Sequence, residues 1–210
     1  MRNLQFERQT PLHQNFRMKK QLFLLPLIAC FAAISHAQQP ALMQGDVAIK
    51  SIMPAGVKTP DFQIANGAAK RSRGLTWLEV EVDYSTKVDI IDELTFEYQI
   101  LIGTQSSAMQ LLTGSTTYVN IEKGLEHYAV VYVSPQAIAG ILGRSPFNAS
   151  AIQNIQVRIT RQGQEIARKV LKGTQIPNLP QKAGLVLNKA DTPFAPLYWD
   201  RYEAVKPAAR

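Results

Sequence analysis

The amino-acid sequence predicts a mainly β protein: an antiparallel sandwich of about seven strands, with one short helix between strands and an extended C-terminal tail rich in proline and aromatic residues. Three observations support this prediction. Apolar and polar residues alternate with a period of two through several segments. Turn residues separate these segments. Strands do not alternate with long helices, as they would in a βαβ fold.

The N-terminal segment has the features of a secretory signal peptide. It starts at Met18 with a Lys19-Lys20 pair, continues as an apolar run over residues 22–34 and ends in small residues at 35–37. The run is shorter than the roughly 20 residues that span a membrane. We therefore expect a leader over residues 1–37, with the signal peptide at 18–37 and a mis-assigned start before Met18.

Cys30 leaves a second form of export open. Residues 27–30 resemble a lipobox, in which the cysteine is lipidated and becomes the new N-terminus. The apolar residues 31–34 that follow favour ordinary cleavage after Ala37 instead. Cleavage there would leave a chain without cysteine or disulfide, which at about 170 residues can rely on its hydrophobic core.

The charge of the mature chain gives little reason to expect a nucleic-acid partner. Residues 38–210 contain 18 basic and 15 acidic residues, a net charge of +3, although the whole sequence carries +7. We expect a linker over 38–46, the β-sandwich domain over 47–172 and the tail, packed on that domain, over 173–210.

The first elements are strands. Residues 47–52 suit a short edge strand, and glycines and prolines then predict a loop to residue 73 with at most a short strand near 62–64. Two strong strands follow at 75–84 and 94–102, separated by a loop over 85–93.

The following segment predicts a hairpin, a central strand and a helix. The hairpin covers residues 109–121 around the turn Thr113-Gly114-Ser115, and the β-branched run 128–133 predicts a strand covered on both faces. Ser134 as N-cap, Pro135 at the first helical position and Gly143 at the end predict the short helix.

A last hairpin completes the set of predicted strands. Strands at 152–159 and 166–171 flank the turn 161–164, and residues 185–187 could add one more strand. About seven turn-connected strands are typical of an immunoglobulin-like sandwich.

Aromatic residues make the tail unusual. Phe194, Tyr198, Trp199 and Tyr202 recur between prolines, whereas disordered tails seldom carry this many rings. Two alternatives follow: the rings pack back onto the sandwich, or they form an adhesive surface. These four residues are our candidates for partner binding, because large rigid rings dominate interface energies.

Residues suited to catalysis are scarce. After the leader, His127 is the only histidine left for a Ser-His-Asp arrangement, and at the start of a predicted strand we expect it to be structural. A usual zinc site needs several Cys or His ligands, which the chain after the leader does not offer. Glu79, Glu81 and Asp83 share one face of a strand; they could be a solvated face neutralised by neighbouring cations, a calcium site together with the loop 85–93, or a glycosidase-type acid pair. We favour the first reading and expect no enzyme activity, no metal and no cofactor.

The leader that ends in Ser-His-Ala, the cysteine-free sandwich and the closing segment over residues 190–202 together resemble a known group. They are similar to the secreted immunoglobulin-like proteins encoded with type IV pilus genes in Akkermansia-type (Verrucomicrobia) bacteria. The resemblance implies an exported protein of the periplasm, outer membrane or cell surface that acts with envelope or pilus proteins in assembly, adhesion or host contact. A periplasmic protein that binds a glycan or small ligand with its end loops and tail rings is the alternative.

Overall fold

The computed structural model describes residues 42–62, 67, 72–104, 107–143, 147–173 and 175–207. The leader, and with it Cys30, lies outside the described residues. So does most of the short strand expected near 62–64, of which only Phe62 is described, outside any regular element.

Strands account for most of the described chain, and all of them belong to one sheet. The elements, in chain order, are β1 Val47–Lys58, β2 Thr76–Thr104, β3 Ser107–Val133, α1 Pro135–Leu142, β4 Ile152–Arg161, β5 Gln164–Val170, β6 Gln181–Ala183, β7 Val186–Asn188 and β8 Ala204–Val205.

The two longest strands fold back on themselves. Twelve extended residues span about 40 Å, yet the rings of Tyr84 and Phe96, both in β2, have centroids only 5.0 Å apart. In β3, the Val130 N–H donates to the hydroxyl of Tyr118 at 2.8 Å, across the same number of residues. Each strand therefore bends sharply and contributes to two layers.

The strand pairing follows from these bends. The first half of β2 pairs with β1 and its second half with β4, while β3 runs antiparallel beside both halves and β5 completes the edge beyond β4. Apolar side chains of both layers, such as Val80, Val131, Ile100 and Val157, meet in one buried core. The predicted antiparallel sandwich fold is confirmed.

The hairpin predicted around Gly114 is wrong. Gly114 lies inside β3, opposite Tyr98, and the chain actually reverses between Thr104 and Ser107. The glycine serves close packing: a Cβ at this position would lie 2.6 Å from the Cβ of Val186 in β7. Because glycine has no side chain, the tail can approach β3 closely at this position.

Two predicted loops are also strand. β1 continues through Pro54 to Lys58, which an edge strand tolerates because some of its N–H groups have no strand partner. Residues 85–93 belong to β2, where the register with β3 shifts between Thr86 and Ile90 at the bend.

The helix and the last hairpin are confirmed. The hydroxyl of Ser134 accepts from the Ala137 N–H, Pro135 begins α1, and Gly143 ends it in the left-handed conformation at φ 69°. The connection between β4 and β5 turns through Gln162 and Gly163, within the predicted turn.

The tail is less extended than expected. Residues 186–188 do form a strand, but residues 189–201 form successive turns, with hydrogen bonds from Thr192 N to Lys189 O, Ala195 N to Thr192 O and Leu197 N to Phe194 O. Pro193 and Pro196 fit these turns because their fixed φ is that of a turn position.

Candidate partner-binding surface

The C-terminal tail packs on the outer face of one layer. Alternation along β2 and β3 directs Val80 and Val131 into the core and their neighbours Trp77, Val130 and Tyr132 to the opposite face. The tail covers these neighbours, and its strands β7 and β8 both pair with β3. A second, smaller apolar cluster results between the sheet and the tail.

Phe194 is the apolar anchor of the tail. Its ring is only 4% exposed and stacks on Tyr132 at 4.5 Å, with 4° between the ring planes. It also meets Trp77 edge-on at 5.7 Å. Such aromatic pairs add to the free energy of area burial, so Phe194 holds the turn that precedes the exposed rings.

Arg201 is the polar anchor. Its guanidinium donates Nε to Glu81 at 2.9 Å and Nη2 to the other carboxylate oxygen at 2.6 Å, and it lies 3.7 Å from the ring centroid of Tyr128. The hydroxyl of Tyr202 also donates to Glu81, at 2.6 Å. This is the bidentate geometry that suits arginine and carboxylate.

The hydrogen bonds set the ionisation of Glu81. Burial acts to raise its pKa, but donation from Arg201 and Tyr202 outweighs burial and holds the pKa below its usual range. Burial also raises the pKa of the Tyr202 hydroxyl, as does its bond to Glu81, so this tyrosine stays a neutral donor.

The other two carboxylates of the row are engaged as well. Glu79 accepts from the Tyr132 hydroxyl at 2.9 Å, and desolvation together with the nearby Glu81 raises the pKa of Glu79. Asp83 lies 3.6 Å from Lys50 on β1. Lys50 on the neighbouring strand pairs with Asp83 as expected, but Glu81 pairs with Arg201 of the tail and Glu79 contacts a tyrosine, so the row is partly covered and not a fully solvated face. Within the described ranges, no cluster of His, Cys, Asp and Glu is arranged to hold a metal ion.

His127 has a structural environment. His127 lies inside β3, and its Nδ1 is 2.7 Å from Oε1 of Glu203, the residue before β8. The imidazole is buried. The ring fills the space beside Gly124, where a Cβ would lie 2.4 Å from Nε2. The lone histidine therefore helps to dock the tail.

The four rings proposed for partner binding have different surroundings. Phe194 is buried and Tyr202 is half-buried, whereas Tyr198 is 57% and Trp199 79% exposed. Tyr198 meets Tyr202 edge-on at 6.5 Å and has a positive φ of 54°. Each of the two alternatives thus applies to part of the segment: Phe194 and Tyr202 pack against the sheet, whereas Tyr198 and Trp199 remain accessible.

Trp199 borders a groove of about 570 Å³ between the tail and the sheet. Most of its lining is apolar, and it includes the buried Lys189, whose Nζ donates to the Ala195 carbonyl at 2.9 Å. The lining residues are Tyr118, Val130, Lys189, Ala190, Ala195, Pro196, Trp199, Tyr202, Glu203, Ala204 and Val205.

Sequence reasoning missed Lys189, Glu81 and Arg201 as parts of this surface. Arg201 lies next to Tyr202, but its partner Glu81 is 120 positions away in the chain, and one sequence carries no signal for that pairing. The mixture of turn residues and aromatic rings is the sequence feature that points to the tail as a surface. It does not reveal which residues of the sheet the tail contacts.

A sequence profile of one protein family matches residues 38–209. The chain belongs to this family. The fold is similar to that of a protein from Akkermansia muciniphila whose crystal structure is known. The two structures align with a TM-score of 0.67 and 21% sequence identity, over 78% of this chain and 94% of that chain. Both findings are consistent with the resemblance to Akkermansia-type proteins. A comparison with curated proteins found no match.

No helix in the described part of the chain is long and apolar enough to cross a bilayer.

Proposed function

We propose that the protein is an exported, non-enzymatic component of the bacterial envelope or cell surface, associated with pili, that binds protein partners through its C-terminal tail in assembly, adhesion or host contact. The observation that carries this proposal is Trp199. Its side chain is 79% exposed, yet the segment that bears it is anchored on both sides by Phe194 and Arg201.

An exposed tryptophan on an anchored segment is well suited to binding. Anchoring restricts the segment before a partner arrives, so less conformational entropy is lost on association. Tryptophan is also among the residues that contribute most to interface energies. Tyr198, 57% exposed on the same turn, enlarges the accessible aromatic surface.

The signal-peptide features of residues 18–37 support export, and the family match begins at residue 38, directly after the proposed cleavage site. The pairing of the carboxylate row with Tyr132, Arg201 and Lys50 supports a structural role for those acids rather than a catalytic one.

Cell fractionation with mass spectrometry of the mature N-terminus tests the location. We expect an envelope or surface fraction, a first residue of Gln38, and pilus components in a pull-down that are lost with Trp199→Ala and retained with the matched control Leu125→Ala, whose side chain is 80% exposed. A lipidated Cys30 would contradict cleavage after Ala37 and count against the pilus proposal. A soluble periplasmic protein that recovers no partner would contradict the pilus proposal.

Binding of a glycan or small ligand is the second candidate, and the size of the groove beside Trp199 is the observation that supports it. Its volume of about 570 Å³ lies in the range of ligand pockets. Isothermal titration of the protein with glycans separates the two functions: saturable binding that is lost with Trp199→Ala, in a protein that captures no envelope partner, supports the ligand-binding function.

A further inference from the structure

The groove beside Trp199 contains a cation without an acidic partner. Lys189 is buried, and its Nζ lies 5.4 Å from the ring centroid of Trp199 and 5.7 Å from that of Tyr202. None of the ion pairs formed among the described residues includes Lys189. Burial lowers the pKa of its ammonium group, so an anion in the groove would stabilise the charged form.

The other polar groups of the lining are already engaged. The Tyr202 hydroxyl donates to Glu81, the Tyr118 hydroxyl bonds to the backbone of Val130, and Glu203 pairs with His127. A ligand rich in hydroxyl groups would find few partners here, and its buried groups would be left unsatisfied. The groove instead favours an apolar group that carries one negative charge.

We propose that this groove docks a segment of a protein partner in which an apolar side chain stands beside a carboxylate, with the side chain against Trp199 and the carboxylate at Lys189. The inference rests on the proposed protein-binding function and adds the chemistry of the partner. Charge complementarity selects this occupant, because the ammonium of Lys189 gains a charged acceptor in a poorly solvated site.

Isothermal titration of the full chain with short Gly-Ser peptides tests the inference. One peptide carries a Phe-Asp pair, a second Phe-Asn, and a third Ala-Asp. We expect the Phe-Asp peptide to bind about tenfold tighter than either of the others, since a charge-assisted hydrogen bond and a buried ring each contribute this much or more.

Variants assign the effect to the groove. Lys189→Met should abolish the preference for Asp over Asn, whereas Lys182→Met, at an exposed lysine of β6, should leave it unchanged. Because Lys189 also donates to the Ala195 carbonyl, a second variant avoids that bond: Ala190→Glu, at an exposed residue of the lining, places a negative charge in the groove and should reverse the preference.

Three results would overturn the inference: equal binding of the Asp and Asn peptides, a preference that survives both groove variants, or no binding of any peptide. Equal affinity for free N-acetylphenylalanine and for the Phe-Asp peptide would identify a small molecule as the occupant and also contradict it. If envelope partners are still lost with Trp199→Ala in any of these cases, the proposed protein-binding function stands and only the inference about the groove fails. The failure of the inference and the failure of the proposed function are therefore distinguishable.

Discussion

Glu81 and Glu79 are two residues apart on one strand, but their surroundings shift their pKa values in opposite directions. Glu81 receives hydrogen bonds from Arg201 and Tyr202, which lower its pKa. Glu79 is desolvated and lies near Glu81, which raises its pKa. Two substitutions of the same type should therefore have different effects on stability.

Glu81→Gln should lower the free energy of unfolding by about 1–2 kcal/mol at pH 7, because it weakens charge-assisted hydrogen bonds to a guanidinium that is 40% exposed and partly screened. The folded-state pKa of Glu81 lies below its unfolded value, so its contribution is present above about 4.5 and is lost as the pH falls through the folded pKa. Urea unfolding at pH 7 and pH 3 measures the loss of unfolding free energy caused by Glu81→Gln, and this loss should be smaller at pH 3. Asp89→Asn, in an exposed pair with Lys123, is the control and should change stability by less than about 0.5 kcal/mol.

Glu79→Gln should leave the stability at pH 7 unchanged or increase it. A raised folded-state pKa means that the ionised carboxylate disfavours the folded state, and this penalty grows as the pH rises from 4.5 through the folded pKa. Glutamine keeps an acceptor for the Tyr132 hydroxyl without the charge. Thermal unfolding at pH 7 compares the variants; a loss as large as that of Glu81→Gln would contradict the assigned environment of Glu79.

At the scale of elements, glycines in β3 and α1 offer a matched test of packing. Gly114→Ala should destabilise by about 1–3 kcal/mol, because its Cβ would lie 2.6 Å from Val186 and force β7 away from β3. Gly140→Ala in α1 meets no atom within 4 Å and should stabilise by about 0.5–1 kcal/mol. Chemical denaturation measures both. Equal effects of the two substitutions would mean that β7 does not pack against Gly114.

Removal of the apolar anchor should release the tail. Phe194→Ala deletes the ring that stacks on Tyr132 and meets Trp77, and should cost about 3 kcal/mol, mainly in local opening of the tail. Hydrogen exchange should show faster exchange in residues 189–205 and unchanged protection in β4. Tyr198→Ala removes a ring that is 57% exposed and should change the exchange of neither residues 189–205 nor β4. Uniformly faster exchange throughout the sheet would show instead that the tail is part of one global unfolding unit.

The edge formed by β1 is a weaker site for added strands than its position indicates. The ammonium group of Lys169, from β5, bonds to the backbone carbonyls of Ile49 and Lys50. Carbonyls occupied in this way are less available to a partner strand. The tail surface is thus favoured over this edge as the route to a partner.

For the molecule as a whole, the sequence predicted those features that depend on local chemistry. Alternation at 94–102 identified a strand of the core, and Ser134, Pro135 and Gly143 defined α1 because caps and proline act on neighbouring backbone groups. Gly114 misled the prediction because a glycine can serve a turn or a close contact, and only the position of Val186 distinguishes these.

Long-range features were not predictable in the same way. A period of two identifies a strand but not the point at which it bends, so β2 was expected as two strands separated by a loop. The aromatic content identified the tail as a candidate surface. Which rings are buried depends on Tyr132, Trp77 and Glu81, contacts of high sequence separation that one sequence does not reveal.

Site-specific photocrosslinking in cells tests the central claim, that the anchored tail presents Trp199 to a protein partner. A photoreactive phenylalanine analogue would replace Trp199 in one strain and Leu125 in another, because their exposed fractions are nearly equal at 79% and 80%. We expect a discrete crosslinked envelope protein from position 199 and none from position 125. Crosslinks of the same pattern from both positions, or from neither, would contradict it.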